Sequence, residues 1–139
     1  MNVYFACSIT GGRKDQDVYA EIVNYLLAAG HTVPTAALAS PEVTLDEGVL
    51  EPAEVYQRDV NWIADCDVLV AEVSTPSHGV GYEIGYALGL GKPVFCCYDQ
   101  GAKISKMILG NSNPQLVLCS YQNVDAALKC LSEYFDRMR

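Results

Sequence analysis

A glutamate near the start of a predicted helix is the residue of this chain best placed to do chemistry. Glu83 lies in the segment Ser74–Gly85, directly after the apolar run Asp67–Val73. A continuous apolar run is typical of a buried parallel strand, the Ser-Thr-Pro after it predicts a turn, and Gly79–Leu90 predicts a helix. The helix dipole favours an ionised carboxylate in the first turns, and such a carboxylate at the lip of a cleft can act as a nucleophile.

Three loops of the predicted fold meet at one edge of the sheet, because each follows the carboxyl end of a strand. They are Ser8–Arg13, Ser74–Glu83 and Asp99–Ser105. The first two are rich in Ser, Thr and Gly and lead into helices, a composition typical of loops that bind phosphate through backbone N–H groups. Neither has the spacing of a Walker loop or of a full dinucleotide-binding fingerprint. The spacing alone therefore predicts an anion-binding cleft.

The elements that position these loops follow from hydrophobic periodicity. Short apolar runs predict strands at Val3–Cys7, His31–Val33, Asp67–Val73, Val94–Tyr98 and Gln115–Cys119. Helical spacing predicts helices from Gly12 or Asp15 to Ala29, and at Ala53–Asp65, Gly79–Leu90, Lys103–Leu109 and Asn123–Met138. Strands that alternate with helices predict one α/β domain over residues 1–139, with a doubly wound, five-stranded parallel sheet and flanking helices. Residues 35–52 have no clear period and are expected to form a long loop, either a functional lid or a mobile segment.

Composition excludes several classes of protein. The net charge of −8 argues against a surface for a nucleic acid polymer, which needs a basic patch. No apolar run reaches the roughly 18 residues of a membrane span, and no leader precedes the first predicted strand, so a cytoplasmic protein is expected. The chain has six cysteines without a Cys-x-x-Cys pair, and two histidines, so we expect no metal site and reduced thiols in the core.

Several motifs together resemble those of the 2′-deoxynucleoside 5′-phosphate N-hydrolases, which belong to the nucleoside 2-deoxyribosyltransferase superfamily. The motifs are Tyr4-Phe5-x-x-Ser8-Ile9-x-Gly11-Gly12-Arg13, Asp59-Val60-Asn61-Trp62, Ala71-Glu72-Val73, Pro76-Ser77-x-Gly79-Val80-Gly81-Tyr82-Glu83-Ile84-Gly85 and Ser105-x-Met107-Ile108-x-Gly110. The resemblance covers nearly the whole chain apart from residues 34–52. It implies a hydrolase that cleaves the N-glycosidic bond of (2′-deoxy)nucleoside 5′-monophosphates to free base and (2-deoxy)ribose 5-phosphate, with no metal or organic cofactor.

The resemblance implies three catalytic residues. Glu83 would attack C1′ of the sugar and form a glycosyl–enzyme ester that water later opens, as in a retaining glycosidase. Asp59 would bind the base or sugar and assist proton delivery to the leaving group. Tyr4 would orient Glu83 through its phenol. Each residue also has a simpler interpretation. Glu83 would be a solvated helix glutamate, Asp59 a surface partner for Arg58, and Tyr4 a core tyrosine.

The resemblance also implies a phosphate site, made by Ser8, Ile9, Thr10, Gly11, Gly12, Arg13, Ser77 and Gly79. Related deoxyribosyltransferases, which use free nucleosides, tend to carry an aspartate where this chain has Ser77. A carboxylate there would repel a phosphate group of roughly −1.5 to −2 charges, so Ser77 favours a nucleotide substrate. Thr10 stands where the hydrolases have arginine, which removes one charge-assisted contact; Arg13, Lys14 or Lys106 would have to compensate.

In the related hydrolases the serine that matches Ser105 reaches the phosphate from the neighbouring subunit, which implies a homodimer with shared sites. Two alternatives stay open. A nucleoside 2-deoxyribosyltransferase would exchange bases on deoxynucleosides, and a non-catalytic nucleotide sensor would need no pair of Glu83 and Asp59. Glu72 is either a support for the site or a charge reaching out of the sheet, and Trp62 and Tyr82 are expected to be core or interface aromatics.

Overall fold

A parallel sheet forms the centre of the molecule. The computed structural model describes residues 1–9, 15–39 and 48–139. Within these residues the strands follow the order β1-β2-β3-β4, and each neighbouring pair is parallel. The strands are β1 Val3–Ala6, β2 Val68–Glu72, β3 Val94–Asp99 and β4 Leu116–Tyr121. Every residue of β1 and β2 is buried, because helices cover both faces of the sheet, and this explains why their sequences are continuously apolar.

The predicted strand at residues 31–33 is reduced to a single parallel bridge between Asn2 and Thr32. Thr32 N donates to Met1 O at 2.9 Å, and Val3 N donates to Thr32 O at 2.8 Å. The next donor in this ladder would be residue 34, which is a proline and has no N–H. The prediction of five strands is therefore wrong by one, whereas the doubly wound arrangement is confirmed.

Helices cover the sheet on both sides. Their bounds are α1 Gln16–Ala28, α2 Pro52–Asp65, α3 His78–Gly89, α4 Lys106–Leu109 and α5 Val124–Arg137, with a 3-10 turn at Ala36–Ala39. Helices α1 and α5 bury their apolar sides with Val3 and Phe5 of β1 on one face. Helices α2 and α3 pack with Tyr4 and Ala6 on the other face. Because side chains alternate along a strand, Tyr4 points to the face that carries Asp59 and Glu83.

The cysteines divide into two groups. Cys7, Cys66, Cys96 and Cys97 are buried thiols, as expected. Cys119 on β4 and Cys130 on α5 form a disulfide, so the expectation of reduced thiols throughout is wrong for this pair. The reason is the fold, since α5 packs on β4 and brings two half-buried cysteines together.

No helix in the described parts of the chain is long and apolar enough to cross a membrane. Within the same residues, no group of three or more His, Cys, Asp or Glu side chains could hold a metal ion.

Candidate active site

A cavity of about 340 Å³ lies between the carboxyl end of β1 and helices α2 and α3. Six of the residues predicted for the site line it: Tyr4, Ile9, Asp59, Ser77, Gly79 and Glu83. These six residues come from three places: the end of a strand, one face of α2 and the first turns of α3. All three places lie on the face of the sheet to which Tyr4 points. The sequence therefore predicted the location of the cavity and most of its polar lining.

Tyr4 and Glu83 are joined by a hydrogen bond in which the phenol donates to Glu83 Oε2. Tyr4 is 1% exposed, whereas Glu83 is half-buried. Burial raises the pKa of the Tyr4 phenol far above its usual value, and the neighbouring charges of Glu83 and Asp59 raise it further. The phenol therefore keeps its proton and acts as the hydrogen-bond donor to the carboxylate.

Asp59 makes an ion pair and lines the cavity at the same time. Arg58 Nε donates to Asp59 Oδ1 at 2.8 Å, and the Arg58 guanidinium lies 4.9 Å from the centre of the Trp62 ring. The simpler interpretation of Asp59 as a partner of Arg58 is thus correct, but it does not replace a role in the cavity. Trp62 is half-buried against the core, where the guanidinium stacks on it and holds the ion pair in place.

The start of α3 lies at one end of the cavity. Ser77 is the N-cap residue, and its Oγ accepts a hydrogen bond from Val80 N at 3.3 Å. The first N–H groups of a helix have no partner within the helix, and together with the dipole they favour a negatively charged ligand. Ser77 and Glu83 are separated by six helical steps of about 1.5 Å, or ~9 Å along the axis. The cavity thus contains the start of a helix and a carboxylate within the reach of one small ligand.

Two other predicted site residues, Ser8 and Ser105, do not line this cavity. Ser8 is fully buried at the end of β1. Ser105 caps α4, is exposed and accepts a hydrogen bond from Met107 N at 3.1 Å, outside this cavity. Four of the residues predicted to bind phosphate fall outside the described residues: Thr10, Gly11, Gly12 and Arg13.

The loop Asp99–Ser105 does not line this cavity, although it meets the loop after β2 at the same edge of the sheet, where Asp99 N donates to Ser74 Oγ at 2.8 Å. Of the described residues, Asp99, Gly101 and Ala102 line a second cavity of about 300 Å³ instead, together with Asp15 and Ser74.

Glu72 is buried beneath these loops and supports them. Its carboxylate accepts hydrogen bonds from Ser74 N at 2.6 Å, from Ser74 Oγ at 2.8 Å and from the Tyr121 phenol. Ser74 Oγ in turn accepts from Asp99 N at 2.8 Å, so one carboxylate connects the ends of β2, β3 and β4. Burial raises the pKa of Glu72 above its usual value, although the hydrogen bonds from Tyr121 and Ser74 oppose the shift. Of the two interpretations left open by the sequence, the supporting role is correct.

Sequence reasoning missed Tyr56 and did not place Tyr82 in the cavity. Both rings line the cavity, with exposed fractions of 51% and 52%, so of the two roles predicted for Tyr82 the core role is wrong and the interface role stays a prediction. The spacing of Tyr56, Asp59 and Ile63 along α2 places all three on one side of a helix. That spacing would have predicted Tyr56 as a neighbour of Asp59 in the cavity.

A parallel sheet between two helical layers, with a carboxylate at the start of the helix after β2, defines an α/β protein with a ligand cleft at its strand ends. The sequence profile of the family described as nucleoside 2-deoxyribosyltransferase matches residues 3–135. The chain therefore belongs to the nucleoside 2-deoxyribosyltransferase family, and the resemblance drawn from its motifs is confirmed.

Named relatives lie within the same family. The 5-hydroxymethyl-dUMP N-hydrolase of Rattus norvegicus is 43% identical over 112 residues, which cover 78% of this chain and 69% of the relative. A protein of Syntrophotalea carbinolica with a provisional name as a 2′-deoxynucleoside 5′-phosphate N-hydrolase is 40% identical over 126 residues, covering 89% of this chain and 87% of that one. The structure of the CMP N-glycosidase BcmB of Clostridium botulinum has the same fold, with a TM-score of 0.73, 21% identity, and coverage of 96% of this chain and 99% of that one.

Proposed function

We propose that this protein is a hydrolase that cleaves the N-glycosidic bond of (2′-deoxy)nucleoside 5′-monophosphates, releasing the free base and (2-deoxy)ribose 5-phosphate. The observation that carries the proposal is the hydrogen bond from Tyr4 to Glu83 in a cavity whose other end is the start of α3. Relatives at about 40% identity are named as N-hydrolases of nucleoside monophosphates, and these names support the same reaction.

Glu83 is the nucleophile of this reaction. One of its carboxylate oxygens forms a bond to C1′ while the bond from C1′ to the base nitrogen breaks and its electron pair stays with the base. Tyr4 holds the carboxylate in a fixed orientation during this step. Water then attacks C1′ of the glycosyl ester, which returns the Glu83 carboxylate and places a hydroxyl group on the sugar.

Asp59 acts on the leaving base. Asp59 lines the cavity from α2, whereas Glu83 lines it from the neighbouring helix α3. From there Asp59 can bind the base or sugar and assist proton delivery as the N-glycosidic bond breaks. The ion pair with Arg58 fixes the side chain for this contact.

The phosphate end lies at the start of α3. A serine hydroxyl and backbone N–H groups can donate to phosphate oxygens, whereas a carboxylate at position 77 would repel them. Ser77 and Gly79 therefore select a 5′-phosphate over a free nucleoside, and the segment 9–13, whose Ile9 lines the same cavity, completes the phosphate site.

We also infer that the protein is a homodimer in which Ser105 serves the neighbouring site. Ser105 is exposed and lies outside the cavity of its own chain, and Met107 beside it is 84% exposed. Gly81, Gly85 and Gly89 on α3 leave open space around their Cα atoms, which gives a second subunit room to approach. A cytoplasmic location, where nucleoside monophosphates are found, is part of this proposal.

Mixed dimers test the shared site. Glu83→Gln and Ser105→Ala variants are mixed after each has been shown to be impaired alone. If Ser105 acts on the neighbouring site, a mixed dimer contains one site with both residues intact, and activity returns. Activity that stays at the sum of the two variants would contradict the shared site.

The reaction itself is tested by incubating the protein with dNMPs, NMPs and unphosphorylated nucleosides and measuring release of the free base. We expect hydrolysis of monophosphates and little of nucleosides. Base exchange between a deoxynucleoside and an added free base would favour a transferase, and binding of monophosphates without release would favour a sensor.

A further inference from the structure

Two tyrosine rings stand at the wall of the cavity without being part of the core. Tyr56 of α2 and Tyr82 of α3 are each about half exposed, at 51% and 52%. Their hydroxyl oxygens are 3.2 Å apart, and their ring centres are 6.1 Å apart. Both line the cavity that contains Glu83. Exposed aromatic surface at a cavity wall is available to a ligand rather than committed to packing.

The two rings are held in place before any ligand arrives. Tyr82 stacks on Tyr86 with an interplanar angle of 20° and centres 6.0 Å apart. The hydroxyl contact to Tyr82 fixes Tyr56 from the other side. Because the rings are already ordered, little side-chain freedom is lost when a flat ligand stacks on them.

The position of the rings relative to the catalytic residues indicates which part of a nucleotide they meet. Tyr82 directly precedes Glu83, and Tyr56 lies one helical turn before Asp59. A nucleotide carries its phosphate and its base on opposite sides of the sugar. With the phosphate at the start of α3 and C1′ at Glu83, the base extends away from the phosphate, towards the side of the cavity lined by α2.

We propose that Tyr56 and Tyr82 form a stacking surface for the nucleobase, and that Tyr56 is a specificity-determining residue because its ring makes the affinity depend on the base. The inference rests on the proposed function for the identity of the ligand. It rests on the exposure and geometry of the two rings for the place where the base binds.

The test compares Tyr56→Ala and Tyr56→Phe, each combined with Glu83→Gln so that nucleotide is not consumed. Dissociation constants are measured by calorimetry for dAMP, dGMP, dCMP and dTMP, and for 2-deoxyribose 5-phosphate, which has no base. Leu27→Ala on α1 is the matched control, since it removes a comparably exposed apolar side chain, at 47%, far from the cavity.

The Tyr56→Ala variant is expected to bind nucleotide about 10- to 100-fold more weakly, because it loses the stacking of one base. The loss should be larger for purines, which have the larger ring surface. Tyr56→Phe should recover most of the affinity, because it keeps the ring, and binding of 2-deoxyribose 5-phosphate should change by less than about twofold in all variants.

Equal nucleotide affinities with and without the Tyr56 ring would overturn the stacking surface. An equal loss of affinity for 2-deoxyribose 5-phosphate would also overturn it, because it would indicate a general distortion of the site. A fall in molar mass of Tyr56→Ala in sedimentation would also overturn it, by assigning the ring to a subunit contact. If wild-type protein hydrolyses no nucleotide while the Glu83→Gln variant binds them, the proposed function fails and the stacking surface is still judged by these affinities.

Discussion

Tyr4 on β1 and Glu83 on α3 are 79 positions apart in the sequence, and the phenol of one donates a hydrogen bond to the carboxylate of the other. The contact joins the first strand of the sheet to the second turn of a helix that covers it. It fixes the orientation of the proposed nucleophile from inside the core rather than from a surface loop. Catalytic groups held by buried partners are more precisely placed than groups on loops.

Replacing the proposed nucleophile should abolish base release. We expect Glu83→Gln to lower kcat by at least ~10³-fold, because the amide that replaces the carboxylate is a far weaker nucleophile. Base release is measured by chromatography, and circular dichroism checks the fold. Glu21→Gln on the exposed side of α1 is the control and should retain wild-type activity. Full activity of Glu83→Gln would refute the assignment.

Removing only the phenol oxygen of Tyr4 should slow the reaction without removing the nucleophile. We expect Tyr4→Phe to lower kcat by about 10- to 150-fold, the equivalent of a hydrogen bond to a charged group worth about 1.5–3 kcal/mol. The KM for nucleotide should change little, because Tyr4 contacts Glu83 and not the phosphate end. Steady-state kinetics separate the two parameters, and a change confined to KM would contradict the orienting role.

The role of Asp59 can be separated by the choice of leaving group. Asp59→Asn should lower kcat for dNMPs by ~10²–10⁴-fold if the carboxyl assists proton delivery. With 4-nitrophenyl 2-deoxyriboside 5-phosphate, whose leaving group departs without a proton, the same variant should lose much less. An equal loss on both substrates would mean that Asp59 positions the sugar and delivers no proton.

The buried carboxyl of Glu72 should make stability depend on pH. Its pKa is raised in the folded protein, mainly by burial, so the folded state favours the protonated form. The stability contribution is therefore fully present below the ordinary pKa of the unfolded chain and is lost as the pH rises through the raised value.

Urea unfolding of wild type and Glu72→Gln between pH 4 and pH 8 measures this contribution. The difference in free energy of unfolding between the two proteins should shift in favour of Glu72→Gln as the pH rises, because the amide does not ionise. A difference that is constant across this range would show that Glu72 does not titrate differently in the folded state. Tyr121→Phe serves as a second variant, since it removes one hydrogen bond and keeps the carboxyl.

Much of the fold was accessible from the sequence because the strands are buried on both faces and the helices carry clear periods. The helix that begins near Gly79 and the strand that ends near Val73 are correct to within one or two residues. The short segment before Pro34 was predicted as a strand because its composition suits one. Whether such a segment extends beyond one bridge depends on a hydrogen-bond donor in the ladder and not on its own composition.

The candidate site was predictable where motifs carry the chemistry and unpredictable where the partners are distant in sequence. Glu83, Asp59 and Tyr4 follow from spacing and resemblance. The contact between Glu72 and Tyr121 joins residues 49 positions apart, and no local pattern predicts it. The disulfide was missed for the same reason, since pairing of cysteines depends on how α5 lies on β4.

The sheet divides the apolar interior into two clusters that differ in their contact with the cavity. The cluster formed with α2 and α3 contains Tyr4 and borders the cavity, whereas the cluster formed with α1 and α5 touches the cavity through Cys7. Substitutions that lie far apart and share no partners usually have additive effects. Changes in the packing of α1 and α5 that lie away from Cys7 should therefore raise or lower heat resistance while the opposite layer keeps its geometry.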